Sequence, residues 1–309
     1  MEIAITITAN PSQEDLLLDA AAALQRDLNG ALQFRWLAQG EAIDLILPPP
    51  ESPPDAPSGA DLGRAEIAHI KEMTAEAVGE RPMDWCVQRT AGRKKRMLIA
   101  DMDSTIIGQE SLVEMAELRG IGPEIAAITK RAMRGEFDFE ASLRERIGQL
   151  KGLRAADLEH VLHDRITLNP GARTLVETMK ANGAHTVLVS GSFTIFTHSV
   201  AARAGFAKEH SNVLSWENGH LAGIAEPVLG REAKLAAIKE EAAGQGLSPA
   251  GVIAVGDGAN DVDMLRWAGL GVAYRAAPVL AAAADARVNH TGLTSLLYFQ
   301  GYTRGEFAG

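Results

Sequence analysis

Cysteine is nearly missing from this chain of 309 residues. Cys86 is the single one, so no intrachain disulfide can form, which suits a reducing compartment. No apolar run approaches the ~18 residues needed to cross a bilayer. The opening Met1-Glu2-Ile3-Ala4-Ile5 lacks the basic start of a secretory leader, so a cytoplasmic protein is expected. Surplus positive charge is lacking too. Forty Asp and Glu against 30 Lys and Arg leave a formal charge of −10, which disfavours nucleic acid or an anionic membrane as partner. There is no Gly-x-Ser-x-Gly elbow, no His-Glu-x-x-His, no Cys-x-x-Cys and no P-loop ending in Gly-Lys-Ser/Thr. Serine-elbow hydrolysis, zincin chemistry, thiol redox exchange and P-loop phosphate binding are each left without their parts. The eight histidines are scattered and read as surface or packed residues.

What is present is ordinary in bulk and specific in detail. A hydrophobic share of 46% and a charged share of 23% fit a globular protein, and the length suits two domains of ~100–200 residues each. Three short apolar runs stand out: Met97-Leu98-Ile99-Ala100, Thr186-Val187-Leu188-Val189 and Val252-Ile253-Ala254-Val255. Each reads as a strand buried on both faces, and helix-like stretches such as Pro170 to Asn182 separate them. Alternating strand and helix signals imply a parallel sheet with helices on both faces. Ligands bind such sheets beyond the carboxyl ends of the strands.

All three runs end in polar clusters. Asp101-Met102-Asp103-Ser104-Thr105 follows the first, Ser190-Gly191-Ser192 the second, and Gly256-Asp257-Gly258-Ala259-Asn260-Asp261 the third. Taken singly, an Asp-x-Asp, a serine in a turn and a lysine on a helix are commonplace. Together, at one edge of one sheet, they converge on one place. Asp101 is a nucleophile suited to phosphorus, giving an aspartyl-phosphate that water hydrolyses. Asp103 can protonate the leaving oxygen and then take a proton from water. Asp257, with Asp261 nearby, adds negative charge that calls for a hard divalent cation, and Mg²⁺ is expected. Ser190 and Gly191 offer a hydroxyl and an unobstructed N–H, and Lys234 offers a compensating charge to the phosphoryl group.

Residues 1–80 read as a small α+β domain of β-α-β-β-α type: strands at 3–7, Phe34-Arg35-Trp36 and Ile43 to Ile46, helices from Leu16 to Leu28 and Leu62 to Val78. A proline-rich loop, Pro48 to Pro57, connects them. Residues 81–96 read as a linker. Its basic run Arg93-Lys94-Lys95-Arg96 could contact a phosphate but reads as solvated. Residues 97–309 form the core, with a helical cap inserted at about 108–165. Leu214 to Leu221 carries Asn-Gly between apolar flanks, a hairpin signal.

The four motifs, Asp101-x-Asp103-Ser104-Thr105, Ser190-Gly191, Lys234 and Gly256 to Asp261, resemble those of haloacid dehalogenase-like phosphatases. The likeness is greatest to the phosphoserine phosphatase family and covers about residues 96–300. Asp103 is informative, since transport ATPases of that superfamily carry Thr there and dehalogenases Tyr. The resemblance implies a doubly wound, Rossmann-like α/β core with the cap, and Mg²⁺-dependent hydrolysis of O-phospho-L-serine. It implies Asp101 as nucleophile and Asp103 as acid/base. Asp101, Asp257 and the Asp103 carbonyl would hold Mg²⁺, with Asp261 in support. Ser190, Gly191, Lys234 and Asn260 would bind phosphate. Glu110 would meet the serine ammonium and Arg146, in the stretch Phe137 to Arg146, its carboxylate. From the residues alone these last two are indistinguishable from solvated helix charges. Ser192 replaces a second glycine, and residues 1–80 are only vaguely similar to ACT-like extensions. Transfer to another acceptor such as homoserine, another small phosphate ester, or an amino-acid sensor with an inactive core stay open. Oligomeric state is unreadable, a homodimer being one option.

Overall fold

The computed structural model describes residues 2–28, 30, 32–49, 60–133 and 138–309. Most of the proline-rich loop and Phe137 of the cap lie outside them. The chain divides into two compact units, Met1–Lys95 with Ala286–Phe307, and Arg96–Asp285 with the last two residues.

The first unit opens with Ile3–Ala9 (β1), Glu14–Asp27 (α1), Gln33–Ala38 (β2), Ala42–Leu47 (β3), Ala60–Val78 (α2) and Met83–Arg89 (β4). β1 pairs antiparallel with both β3 and β4, and β2 borders β3. This is the split β-α-β-β-α-β arrangement. Ile3, Ile5 and Ile7 face a core with Leu17 and Leu24 of α1 and Ile70 of α2. The segment expected to be a linker therefore holds β4. Pro82 and the basic run hide it in the sequence, because its partner β1 lies some eighty residues upstream.

The second unit begins with Met97–Ala100 (β5), all four residues buried. The helices Ser111–Glu117 (α3), Gly122–Met133 (α4), Phe139–Leu150 (α5) and Ala155–Asp164 (α6) form the expected cap insertion. Then come Ala172–Ala181 (α7), His185–Phe193 (β6), Thr194–Ala204 (α8), Lys208–Asn212 (β7) and the hairpin Leu214–Glu217 (β8) with His220–Ile224 (β9). The hairpin turns at Asn218-Gly219, both at positive φ, as the Asn-Gly signal predicts. Arg231–Gly244 (α9), Val252–Gly256 (β10), Val262–Trp267 (α10), Leu270–Tyr274 (β11) and Pro278–Ala281 (α11) complete it.

Its parallel strands stand in the order β11-β10-β5-β6-β7. From β5 the chain first builds outward through β6 and β7, then returns to place β10 and β11 on the other side. The order reverses between β5 and β10, and such a reversal opens a crevice at the strands' carboxyl ends. Met97, Ile99, Val187, Ala254 and Ile238 of α9 pack one face of this sheet.

Ala286–Val288 (β12) and Ser295–Phe299 (α12) return to the first unit. β12 pairs with β4 at Arg287↔Trp85, and α12 packs on β1 and β4. The second face of β1 is thus covered as well, which explains why Ala4, Thr6 and Thr8 are as buried as the isoleucines between them.

Candidate active site

At the end of β5, Asp101 leaves the strand with its N–H bonded to the Val255 carbonyl at 3.0 Å, so β10 fixes where the turn begins. The Asp101 carboxylate accepts from the Met102 N–H at 2.8 Å. The turn through Met102–Ile106 then carries Ser104 in the left-handed region, at φ 53°. That twist brings Asp103 back so that its Oδ1 accepts from the Ser111 N–H at 2.8 Å, at the start of α3. Asn169 ties the turn down by donating to the Thr105 and Ile107 carbonyls at 2.8 and 3.0 Å.

The other strand ends meet it. Lys234, in the first turn of α9 and 3% exposed, reaches Asp101 Oδ1 and Asp261 Oδ1, both at 2.7 Å. After β10 the backbone N–H groups of Asp257 and Gly258 donate to Asp261 Oδ2 at 3.2 Å each. A Cβ on Gly256 would stand 2.4 Å from that same oxygen, so only glycine allows the strand end to nest against Asp261. Thr105 Oγ1 donates to Asp257 Oδ1 at 3.2 Å. Carboxylate oxygens of Asp101, Asp257 and Asp261 all lie within 4.8 Å of one another. At β6, the Ser192 N–H donates to Ser190 Oγ at 3.0 Å, and Ser192 Oγ shares a hydrogen bond with Ser111 Oγ.

The electrostatics are those of a crowded anionic site. Burial, the Asp261 charge and the Asp103 charge push Asp101 up to about 8 against the pull of Lys234. Burial, Asp101 and Asp261 carry Asp257 well above the usual carboxylate range. Burial raises Asp103, opposed by the hydrogen bond from Ser111. Burial works against the charged form of Lys234, yet Asp101 and Asp261 outweigh it and hold the ammonium more firmly than usual. One lysine among three mutually close carboxylates leaves negative charge uncompensated, and oxygen-only donors at this spacing fit a hard divalent cation.

The crevice above is lined by Asp101, Asp103, Ser190, Gly191 and Asn260 from the sheet side and by Glu110, Thr129, Leu143 and Arg146 from the cap. Glu110 accepts from Ser104 Oγ at 2.5 Å; burial and the Asp103 charge push it up to about 8. Arg146 is 4% exposed and donates through Nη1 to Thr129 Oγ1 at 2.8 Å and through Nε to the Ser142 carbonyl at 3.1 Å. Burial lowers its proton affinity, which Glu110 and Asp103 partly restore. A guanidinium and a carboxyl group able to ionise beside a bound cation therefore share a crevice with Asp101. All ten sequence-derived site residues fall in or directly against this crevice. Ser111 and Thr129 are absent from the sequence reading, and Thr105 appears there only as part of the first motif, without a role. Ser111 directly follows Glu110 and Thr105 closes the first motif, but Thr129 sits on α4 with no local mark.

A family model of haloacid dehalogenase-like hydrolases matches residues 98–266. The phosphoserine phosphatase of Archaeoglobus fulgidus is 38% identical over 243 residues, 77% of this chain and 70% of that protein. The crystal structure of the HAD family hydrolase t0658 from Salmonella enterica serovar Typhi superposes with a TM-score of 0.78 at 31% identity, covering 96% of this chain and 98% of that one. A phospho-aspartyl intermediate analogue of phosphoserine phosphatase gives 0.63 at 33% identity, over 67% of this chain and 99% of that one. Strand order, the carboxylate cluster at the sheet's switch point and these likenesses agree: the chain belongs to the haloacid dehalogenase-like hydrolases, in the branch of the phosphoserine phosphatases.

Proposed function

We propose that this protein hydrolyses O-phospho-L-serine to L-serine and phosphate through an aspartyl-phosphate on Asp101. The observation that carries the reading is the opposed pair Glu110 and Arg146 lining one crevice with Asp101, Asp103 and Ser190. A zwitterionic amino acid esterified to phosphate needs one charge of each sign at its amino-acid end and a nucleophile at its phosphorus. The similar proteins named as phosphoserine phosphatases support the same reading.

An Asp101 carboxylate oxygen attacks phosphorus in line as the serine oxygen departs with the proton of Asp103. Burial already favours the protonated form of Asp103. Asp103, now ionised, then takes a proton from the water that attacks phosphorus, and phosphate leaves with Asp101 restored. Lys234 and the Ser190 hydroxyl, with the Gly191 N–H, face the phosphoryl oxygens. Asp101 and Asp257 would hold Mg²⁺, along with the Asp103 carbonyl, with Asp261 in support beside Lys234. Bound there, the cation offsets the repulsion between carboxylate and phosphate dianion. The substrate ammonium beside Glu110 favours its ionised form, so binding and charge at that residue are linked. A cytoplasmic setting belongs to the same proposal, consistent with a single buried Cys86 and with no described helix long and apolar enough to cross a membrane.

Phosphate release from a substrate panel with Mg²⁺ tests the reading. Phosphoserine is expected to turn over at least ~10-fold faster than phosphothreonine, which adds a methyl group, and than sugar phosphates, which lack both the ammonium and the carboxylate. Equal rates across the panel would sink the substrate assignment.

A further inference from the structure

A second collection of charges lies in the first unit and has no part in the chemistry above. Asp44, in β3, is fully buried; its Oδ1 accepts from Thr6 Oγ1 at 2.7 Å. Its Oδ2 is shared by two guanidiniums, Arg35 Nη2 at 2.7 Å and Arg93 Nη2 at 2.6 Å. One carboxylate facing two cations leaves a positive surplus. The Arg93 side chain is only 10% exposed, and its Nη1 is buried without a hydrogen-bond acceptor among the described residues. A buried guanidinium nitrogen with nothing to donate to is costly, and such groups ordinarily have a partner. Backbone is packed hard against this guanidinium: a Cβ on Gly301 (φ 79°) would stand 2.2 Å from Arg93 Nη2.

Arg93 borders an open pocket of about 430 Å³, which Arg35, Thr90, Gly92, Lys94 and Gly301 also line. The carboxylate lining it, Glu306, is already engaged by Lys94 Nζ at 2.8 Å and by the Thr303 N–H and hydroxyl at 2.7 and 2.9 Å. Gln300 is engaged likewise, accepting from the Lys95 N–H and donating to the Leu296 carbonyl. The basic run that reads as a solvated linker is thus folded in, with Arg93 and Lys95 buried, and it presents donors in a chain of net charge −10.

We propose that this pocket binds a small oxyanion, drawn by the uncompensated charge of the Arg93 guanidinium that borders it and held by Arg35 and Lys94. A tetrahedral inorganic anion and the carboxylate of a small organic acid share that chemistry, and nothing in the proposal depends on which ester the catalytic site hydrolyses. The test is a titration of the full-length protein, followed by amide NMR at constant ionic strength set with chloride. Inorganic sulfate is the probe in one arm and acetate in the other. The Gly92, Lys94 and Gly301 amides report this pocket, while Ser190 and Gly191 report the catalytic one. Saturable shifts of the first group are expected in at least one arm, and the responding arm identifies the anion class. In Arg35→Ala or Lys94→Ala the midpoint should rise about tenfold, the scale of one charge-assisted hydrogen bond. Both leave Arg93 on Asp44, so the fold is retained and unchanged spectra elsewhere verify it. No saturable shift in either arm, or midpoints unaffected by both substitutions, would overturn the proposal.

Discussion

The two units bury charge in opposite ways. In the first, one carboxylate, Asp44, is surrounded by two guanidiniums and a threonine hydroxyl. In the second, three carboxylates crowd a single ammonium, Lys234. Charge balance inside a protein is expensive to violate, so each imbalance has a different meaning. Asp44 is over-satisfied, with every oxygen engaged, and its cluster holds β1, β3 and the segment after β4 together. The Asp101 cluster is under-satisfied: burial and the neighbouring carboxylates drive its proton affinities up by more than Lys234 offsets. The first arrangement ties strands together and leaves positive charge in surplus, and the second leaves negative charge in surplus at the reacting end of the sheet.

Replacing Asp101 by Asn should separate the two most sharply. Turnover of phosphoserine is expected to fall by about a thousandfold or more, since the nucleophile is lost. Thermal stability of the metal-free protein should not fall, because a repelled charge has been removed. A variant that kept its rate would refute the role of Asp101. The reverse experiment is Asp44→Asn, which leaves two guanidiniums without their counter-charge. It should cost about 3 kcal/mol of stability, as broken buried pairs do, with kcat per folded molecule unchanged. Denaturant unfolding together with active-site titration checks both halves.

A pH series probes the imbalance itself. Asp101 and Glu110 are both raised to about 8, so between the unfolded carboxylate range and that value the native state holds more protons than the unfolded one. Stability contributed by these groups is therefore complete in mild acid and is lost as pH rises towards about 8. With a chelator present the unfolding midpoint should drop between about pH 5 and about pH 8. Saturating Mg²⁺ should shrink the drop, because cation binding displaces the Asp101 proton. Asp101→Asn should flatten it. An unchanged midpoint across that window in the chelated protein would contradict the described crowding. Glu306, held down to about 2 by Lys94 and the Thr303 N–H, acts in a separate, more acidic window.

The smallest effect concerns Thr129. Its hydroxyl orients Arg146, so Thr129→Val should raise KM for phosphoserine by about three- to tenfold, the scale of one hydrogen bond to a charged group, with kcat nearly unchanged. A fall in kcat at constant KM would instead place Thr129 in the chemical step.

The catalytic end of the second unit was legible because its strands are short, wholly apolar and followed at once by polar clusters. β5 and β10 are buried throughout, and Asp101, Asp257 and Asp261 stand directly after them. The first unit was less legible for the same physical reason in reverse. β4 reads Met-Asp-Trp-Cys-Val-Gln-Arg, and its Asp84 is tolerated only because the Asn289, His290 and Thr291 N–H groups donate to it from two hundred residues away. Arg93 is buried by Asp44, 49 positions upstream. Glu110 and Arg146 have the composition of surface helix residues, and only the assembled cap turns them inward. Local pattern reports what a residue is next to in the chain, and these contacts are made elsewhere.

The return of Ala286–Phe307 to the first unit has a consequence for biosynthesis. The second unit is nearly continuous and can condense as soon as it clears the ribosome. The first cannot: until residues 289–291 have been made, Asp84 faces no donors from that strand, and α12 is not there to roof β1. The first unit therefore waits on residues made after the second, and a chain truncated after residue 285 would have its catalytic unit shaped and its other unit unfinished.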